Sequence, residues 1–194
     1  MDTLILTGWG WKEYAVAAAV ALKSLGCKAD VMGMSKRRLP EFLELEGNKW
    51  RRIFLIGLSL GGDEARLAAA LKSLKRTKVT WISSLPMSES QERLLAPLMD
   101  VRKADGGLFD GSLVKAVGDV FGEDVAPFLP FAVEGGKVPK SVPRYHELIC
   151  AAMYDLIHSC YGVPINLNQI YCIPCLMSLS GKLLPKQYSL NTLA

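Results

Sequence analysis

The sequence predicts an α/β domain with a mainly parallel sheet and helices on both faces, a Rossmann-like three-layer sandwich with a helical C-terminal appendage. Short apolar runs of strand length alternate with Ala- and Leu-rich stretches of helical length. Those runs are apolar on both faces, as strands buried between two helical layers must be. The chain has 194 residues, of which 50% are hydrophobic and 22% charged, enough to bury a core and too little charge for a disordered chain.

Leu4 to Thr7 reads as the first strand, and Glu13 to Leu25 as a helix that stops at Gly26. Ala29 to Met32 is a second strand, followed by a short helix from Leu39 to Leu45 with Pro40 in its first turn. Arg52 to Ile56 is the third and most apolar strand, and Asp63 to Leu74 the helix after it. Val79 to Ile82 is a fourth strand ending in Ser83-Ser84. Further helices are expected over Ser88–Met99 and Asp110–Phe121, separated by Gly106-Gly107.

These elements place the domain at residues 1–130. Residues 131–144, rich in Gly, Pro and Lys, read as a linker or exposed loop. Residues 145–194 hold a helix from Tyr145 to Tyr161 and a tail whose only charges after Ala151 are Asp155, Lys182 and Lys186. Right-handed crossovers bring the loops after Thr7, Met32, Ile56 and Ile82 to one edge, the carboxyl edge where open α/β sheets bind ligands.

Composition narrows the function. The net charge of +4 is mild, and basic clusters such as Lys36-Arg37-Arg38 are interspersed with acids. Direct nucleic-acid binding is therefore not expected, since it calls for a concentrated basic stripe. No apolar stretch reaches the roughly 18–20 residues of a membrane span. Leu4–Thr7 follows the N-terminus with no basic lead and no long apolar segment, so a cytoplasmic protein is expected. Five cysteines, four of them after residue 149, read as reduced thiols, including the Cys172-Ile173-Pro174-Cys175 pair.

Gly57-Leu58-Ser59-Leu60-Gly61 between a strand and a helix fits the spacing of a G-x-S-x-G nucleophile elbow. It resembles the small α/β-hydrolases and makes Ser59 a candidate nucleophile. A triad needs a histidine, and His146 and His158 both fall in the expected Tyr145–Tyr161 helix. The same glycines could face an anion, although Asp63 and Glu64 already complement the following helix dipole. Trp9, Trp11 and Tyr14 around the first loop suit either stacking on a ring or core closure.

Together the four loops resemble a degenerate DHH phosphoesterase superfamily domain. Members of that family open with a strand, a loop bearing His and Asp, and an Ala-rich helix. Here Leu4–Thr7 leads into Gly8-Trp9-Gly10-Trp11-Lys12 and the Ala-rich run from Ala15 to Leu25. Gly8, Gly10 and Lys12 stand where the family places metal ligands. Gly57 stands at its later aspartate, and Ser83, Ser84 and Leu85 at its Asp-His-His motif.

The resemblance implies a fold kept without its metal and a non-catalytic ligand-binding or regulatory domain with no cofactor. The expected contacts are Trp9, Trp11, Lys12, Gly57, Ser59, Ser83 and Ser84, meeting a small anionic ligand or nucleotide. The Lys12 ammonium is expected close to Gly57 and Ser83, in place of the metal. The resemblance extends to the N-terminal regulatory domains of bacterial enhancer-binding transcription activators. That implies an ATPase module as partner within a longer protein.

Overall fold

The computed structural model describes residues 2–8, 12–26, 28–108 and 110–133. The expected helix at 145–161, the tail, both histidines and all five cysteines lie outside them, as do Trp9, Gly10 and Trp11.

Five strands form one parallel sheet: β1 Thr3–Thr7, β2 Asp30–Gly33, β3 Arg52–Ile56, β4 Lys78–Ser83 and β5 Asp100–Lys103. Their order is β2-β1-β3-β4-β5. The helices are α1 Lys12–Ser24, α2 Leu39–Glu46, α3 Glu64–Ser73, α4 Glu89–Leu95, α5 Ser112–Phe121 and α6 Leu129–Ala132. This is the α/β, Rossmann-like sandwich that the alternating pattern predicts.

Strand alternation sorts the core into two layers. Leu4, Leu6, Met32, Ile53, Leu55, Val79 and Trp81 point to one face, where Leu39, Leu43, Leu67, Leu71 and Leu95 of α2, α3 and α4 cover them. Ile5, Val31, Phe54, Ile56 and Ile82 point to the other, under α1, α5 and α6. Glu13 to Leu22 of α1 are all buried, a burial that small alanines permit by letting neighbouring backbones approach closely.

Two differences from the sequence reading have simple causes. The helix expected to run to Met99 ends as α4 at Leu95, with a short 3-10 turn over Ala96–Leu98, and β5 follows. Asp100-Val101-Arg102-Lys103 carries no apolar run because it stands at the sheet edge, half buried or exposed throughout. Helix α6 lies across the boundary expected at residue 130 and packs on α1.

α1 and α5 are joined by a buried polar contact. Glu13, 0% exposed, receives the backbone N–H of Leu113 on Oε1 at 3.2 Å. Leu113 is the second residue of α5, so the carboxyl group satisfies one of the amides that a helix start leaves open. Removing it strands a buried donor. Glu13→Ala is expected to lower unfolding free energy by about 2–4 kcal/mol, a loss that urea titration of the full chain would measure.

Candidate functional site: the carboxyl edge

Because β1 has β2 on one side and β3 on the other, the chain reverses direction across the sheet between β1 and β3. Ligands of such sheets bind in the crevice at that point. Gly8 and Gly57 face each other there, immediately after β1 and β3. Ser83 ends β4 alongside, so Gly8, Gly57 and Ser83 stand at one level on three adjacent strands.

The ring of Tyr14 fills the crevice. A Cβ on Gly8 would lie 2.5 Å from the Gly57 carbonyl oxygen and 2.7 Å from the Tyr14 ring. One on Gly57, whose φ is +63°, would lie 2.6 Å from the same ring. Both positions therefore require glycine, one for space and the other for space and backbone conformation. Tyr14 is only 6% exposed, and burial, aided by nearby Glu13, raises its phenol pKa above the usual value. The phenol stays neutral.

The glycine amides are committed to the sheet. Gly8 donates to the Ile56 carbonyl and Gly57 to that of Ile82, both at 2.9 Å, extending the parallel ladder by one bond each. Neither is available to an oxyanion or phosphate. Trp81, buried in β4, donates its indole N–H to the Leu58 carbonyl at 2.7 Å and pins the 57–62 loop to the sheet.

Ser59 sits in that loop, partly buried, and its Oγ accepts the Gly61 amide at 3.4 Å. Ser83 is buried, and its Oγ accepts the Leu85 amide at 3.0 Å, a local turn contact. The Ser84 Oγ is buried without a hydrogen-bond partner among the described residues. Lys12, expected against Gly57 and Ser83, is the exposed first residue of α1. The side chain found against Gly8 and Gly57 is that of Tyr14, two residues further on.

The helix starts along the β3–β5 half of this edge carry their own acceptors. Asp63 Oδ1 receives the Arg66 amide of α3 at 2.9 Å, and Ser88 with Gln91 forms a capping box on α4. At α5, Asp110 receives the Ser112 amide on Oδ1 at 2.8 Å and the Gly107 amide on Oδ2 at 2.7 Å. The Gly107 and Ser112 hydrogen bonds hold the Asp110 carboxyl below its ordinary pKa. Over the β1–β2 half, by contrast, Lys12, Lys36, Arg37 and Arg38 are exposed and form no ion pair among the described residues.

No cluster of three metal-ligating side chains occurs among the described residues. No helix among them is long and apolar enough to cross a membrane. The site thus belongs to a Rossmann-like α/β unit whose switch-point crevice is filled by its own tyrosine. Comparison with protein-family models, curated proteins and solved structures returns no match.

In the sequence Tyr14 is one of three aromatics around the first loop, with no local pattern to single it out. The available signal was a glycine directly after each of two neighbouring strands, a pair that makes room for one large ring.

Two outcomes follow from this geometry. Gly57→Ala forces a Cβ into the left-handed region and against the Tyr14 ring, and should cost about 1–3 kcal/mol in denaturant unfolding. Asp110 has its folded pKa below its unfolded value, so its contribution is present above the unfolded pKa and is lost as pH falls through the folded one. The stability gap between wild type and Asp110→Asn should therefore be widest near neutral pH and narrow on acidification below about pH 4.

Proposed function

We propose that this α/β unit is a non-catalytic ligand-binding or regulatory domain on a DHH phosphoesterase-like fold that has lost its metal ligands. The observation that carries this reading is the Tyr14 ring between Gly8 and Gly57, where the family resemblance would place metal-binding side chains. A buried neutral phenol flanked by glycines offers no set of hard oxygen ligands for Mn²⁺ or Mg²⁺.

Charge distribution favours an anion over the β1–β2 half. Lys12 and the Lys36-Arg37-Arg38 run supply cations with no ion pair among the described residues there, whereas the β3–β5 helix starts already carry oxygen acceptors. A small anionic ligand or nucleotide is the class that fits, with Trp9 and Trp11 as further contacts. The regulatory role, ahead of an ATPase module in a longer protein, rests on the resemblance to enhancer-binding activators.

A second reading keeps Ser59 as the nucleophile of a small serine hydrolase. It is favoured by the position of Ser59 two residues after a positive-φ glycine on a strand-to-helix turn. Against it, the hydroxyl accepts a backbone N–H within its own turn.

One set of assays separates the readings. The full chain should show no Mn²⁺-dependent hydrolysis of bis-p-nitrophenyl phosphate, and a nucleotide-induced thermal shift should not depend on Mn²⁺. Robust metal-dependent turnover overturns the proposal. Fluorophosphonate labelling abolished by Ser59→Ala would replace it with the hydrolase reading.

A further inference from the structure

A groove of about 760 Å³ opens on the α5 face of the sheet, between the outer strands and α5, away from the carboxyl edge. Its position follows from alternation. Arg52 and Phe54 of β3, Lys78 and Thr80 of β4, and Asp100 and Arg102 of β5 all point to the face that α1 and α5 cover. Phe54, Thr80, Asp100 and Arg102 line the space left open there.

The groove is amphiphilic. One part is apolar and aromatic, built on Phe54 and Phe121, whose ring centroids lie 4.8 Å apart, with Val120 and Ala116 beside them. The polar part is cationic by one charge, since Arg52, Lys78 and Arg102 face it against Asp100 and Asp119. Arg102 is spent on Asp100 at 3.2 Å and Lys103 on Glu92 of α4. Asp119 is the carboxylate that faces in from α5.

Two observations point to a ligand. Arg52 and Lys78 are direct cross-strand partners, so two cationic side chains leave adjacent positions on one face of the sheet. Arg52 is held by the Thr3 hydroxyl at 2.8 Å, and neither cation forms an ion pair among the described residues. Thr80, the next residue of β4 on that face, lines the groove, and its hydroxyl is open to solvent there with no hydrogen bond among the described residues. Two cations without an ion pair and a free hydroxyl among the described residues, beside an aromatic wall, suit an anion with an apolar body.

We infer that this groove binds an organic anion with a flat apolar body, the body on Phe54, Phe121 and Val120 and the acid group between Lys78, Arg52 and the Thr80 hydroxyl. A volume of this size lies within the range of ordinary small-molecule sites. Arg52, with Nε and one Nη on the Thr3 hydroxyl, keeps further N–H donors for an acid group, and Lys78 adds a point charge, so the acid group is the specific element. The site is independent of the carboxyl edge.

Calorimetric titration of the full chain with 2-naphthoate tests it, with uncharged 2-naphthylmethanol as the control. Saturable binding of the acid is expected, with the alcohol at least about tenfold weaker, the scale of one hydrogen bond to a charged group. Lys78→Gln should weaken 2-naphthoate about tenfold or more, and Thr80→Val by a smaller factor. Because Lys78 is exposed and forms no ion pair among the described residues, the Lys78→Gln thermal midpoint should stay within about 2 °C of wild type, which separates lost binding from lost folding. Absence of saturable binding, equal affinity for acid and alcohol, or an unchanged affinity in Lys78→Gln each overturns the inference.

Discussion

The carboxyl group of Glu13 is the contact on which much of the architecture depends. It is wholly buried, and a buried group of this kind is tolerable only when hydrogen-bonded. Its partner, the Leu113 amide, is distant in sequence by 100 residues, so the bond joins the first helix to the fifth. With α1 fixed against α5, the layer over Ile5, Phe54 and Ile56 is set. The next residue, Tyr14, is then delivered to the crevice between β1 and β3. One carboxyl group therefore governs both how a helical layer is assembled and what occupies the sheet's usual binding position.

That occupation divides the carboxyl edge. Across β3 to β5, loops are closed by backbone amides donating to the side-chain oxygens of Ser59, Asp63, Ser83, Ser88 and Asp110. These loops are shaped by satisfying their own amides. Across β1 and β2, the exposed side chains are cationic and unpaired among the described residues. A fold that commonly gathers ligand contacts at its centre has here moved its available charge to one side.

Much of the fold was legible because local patterns coincide with burial. Leu4-Ile5-Leu6, Ile53–Ile56 and Val79–Ile82 are apolar on both faces and lie inside the sheet. β5 was not legible, since an edge strand of Asp, Arg and Lys has no apolar signature. The common location of Gly57, Ser59, Ser83 and Ser84 was readable from strand ends alone. Tyr14 was not, because what a side chain touches depends on strand order, which no local pattern encodes. The same limit hid the groove: Arg52 and Lys78 come to adjacent positions only once β3 and β4 are known to be neighbours.

The indole of Trp81 is almost fully buried, and its N–H is bonded to the carbonyl of Leu58, the residue after the positive-φ Gly57. This makes the side chain an optical handle on the loop that carries Ser59. Indole emission responds to solvent access and to the hydrogen bond on its nitrogen. Any event that lifts residues 57–62 from the sheet must break that bond, and the change would be visible in the protein's own fluorescence without an added label.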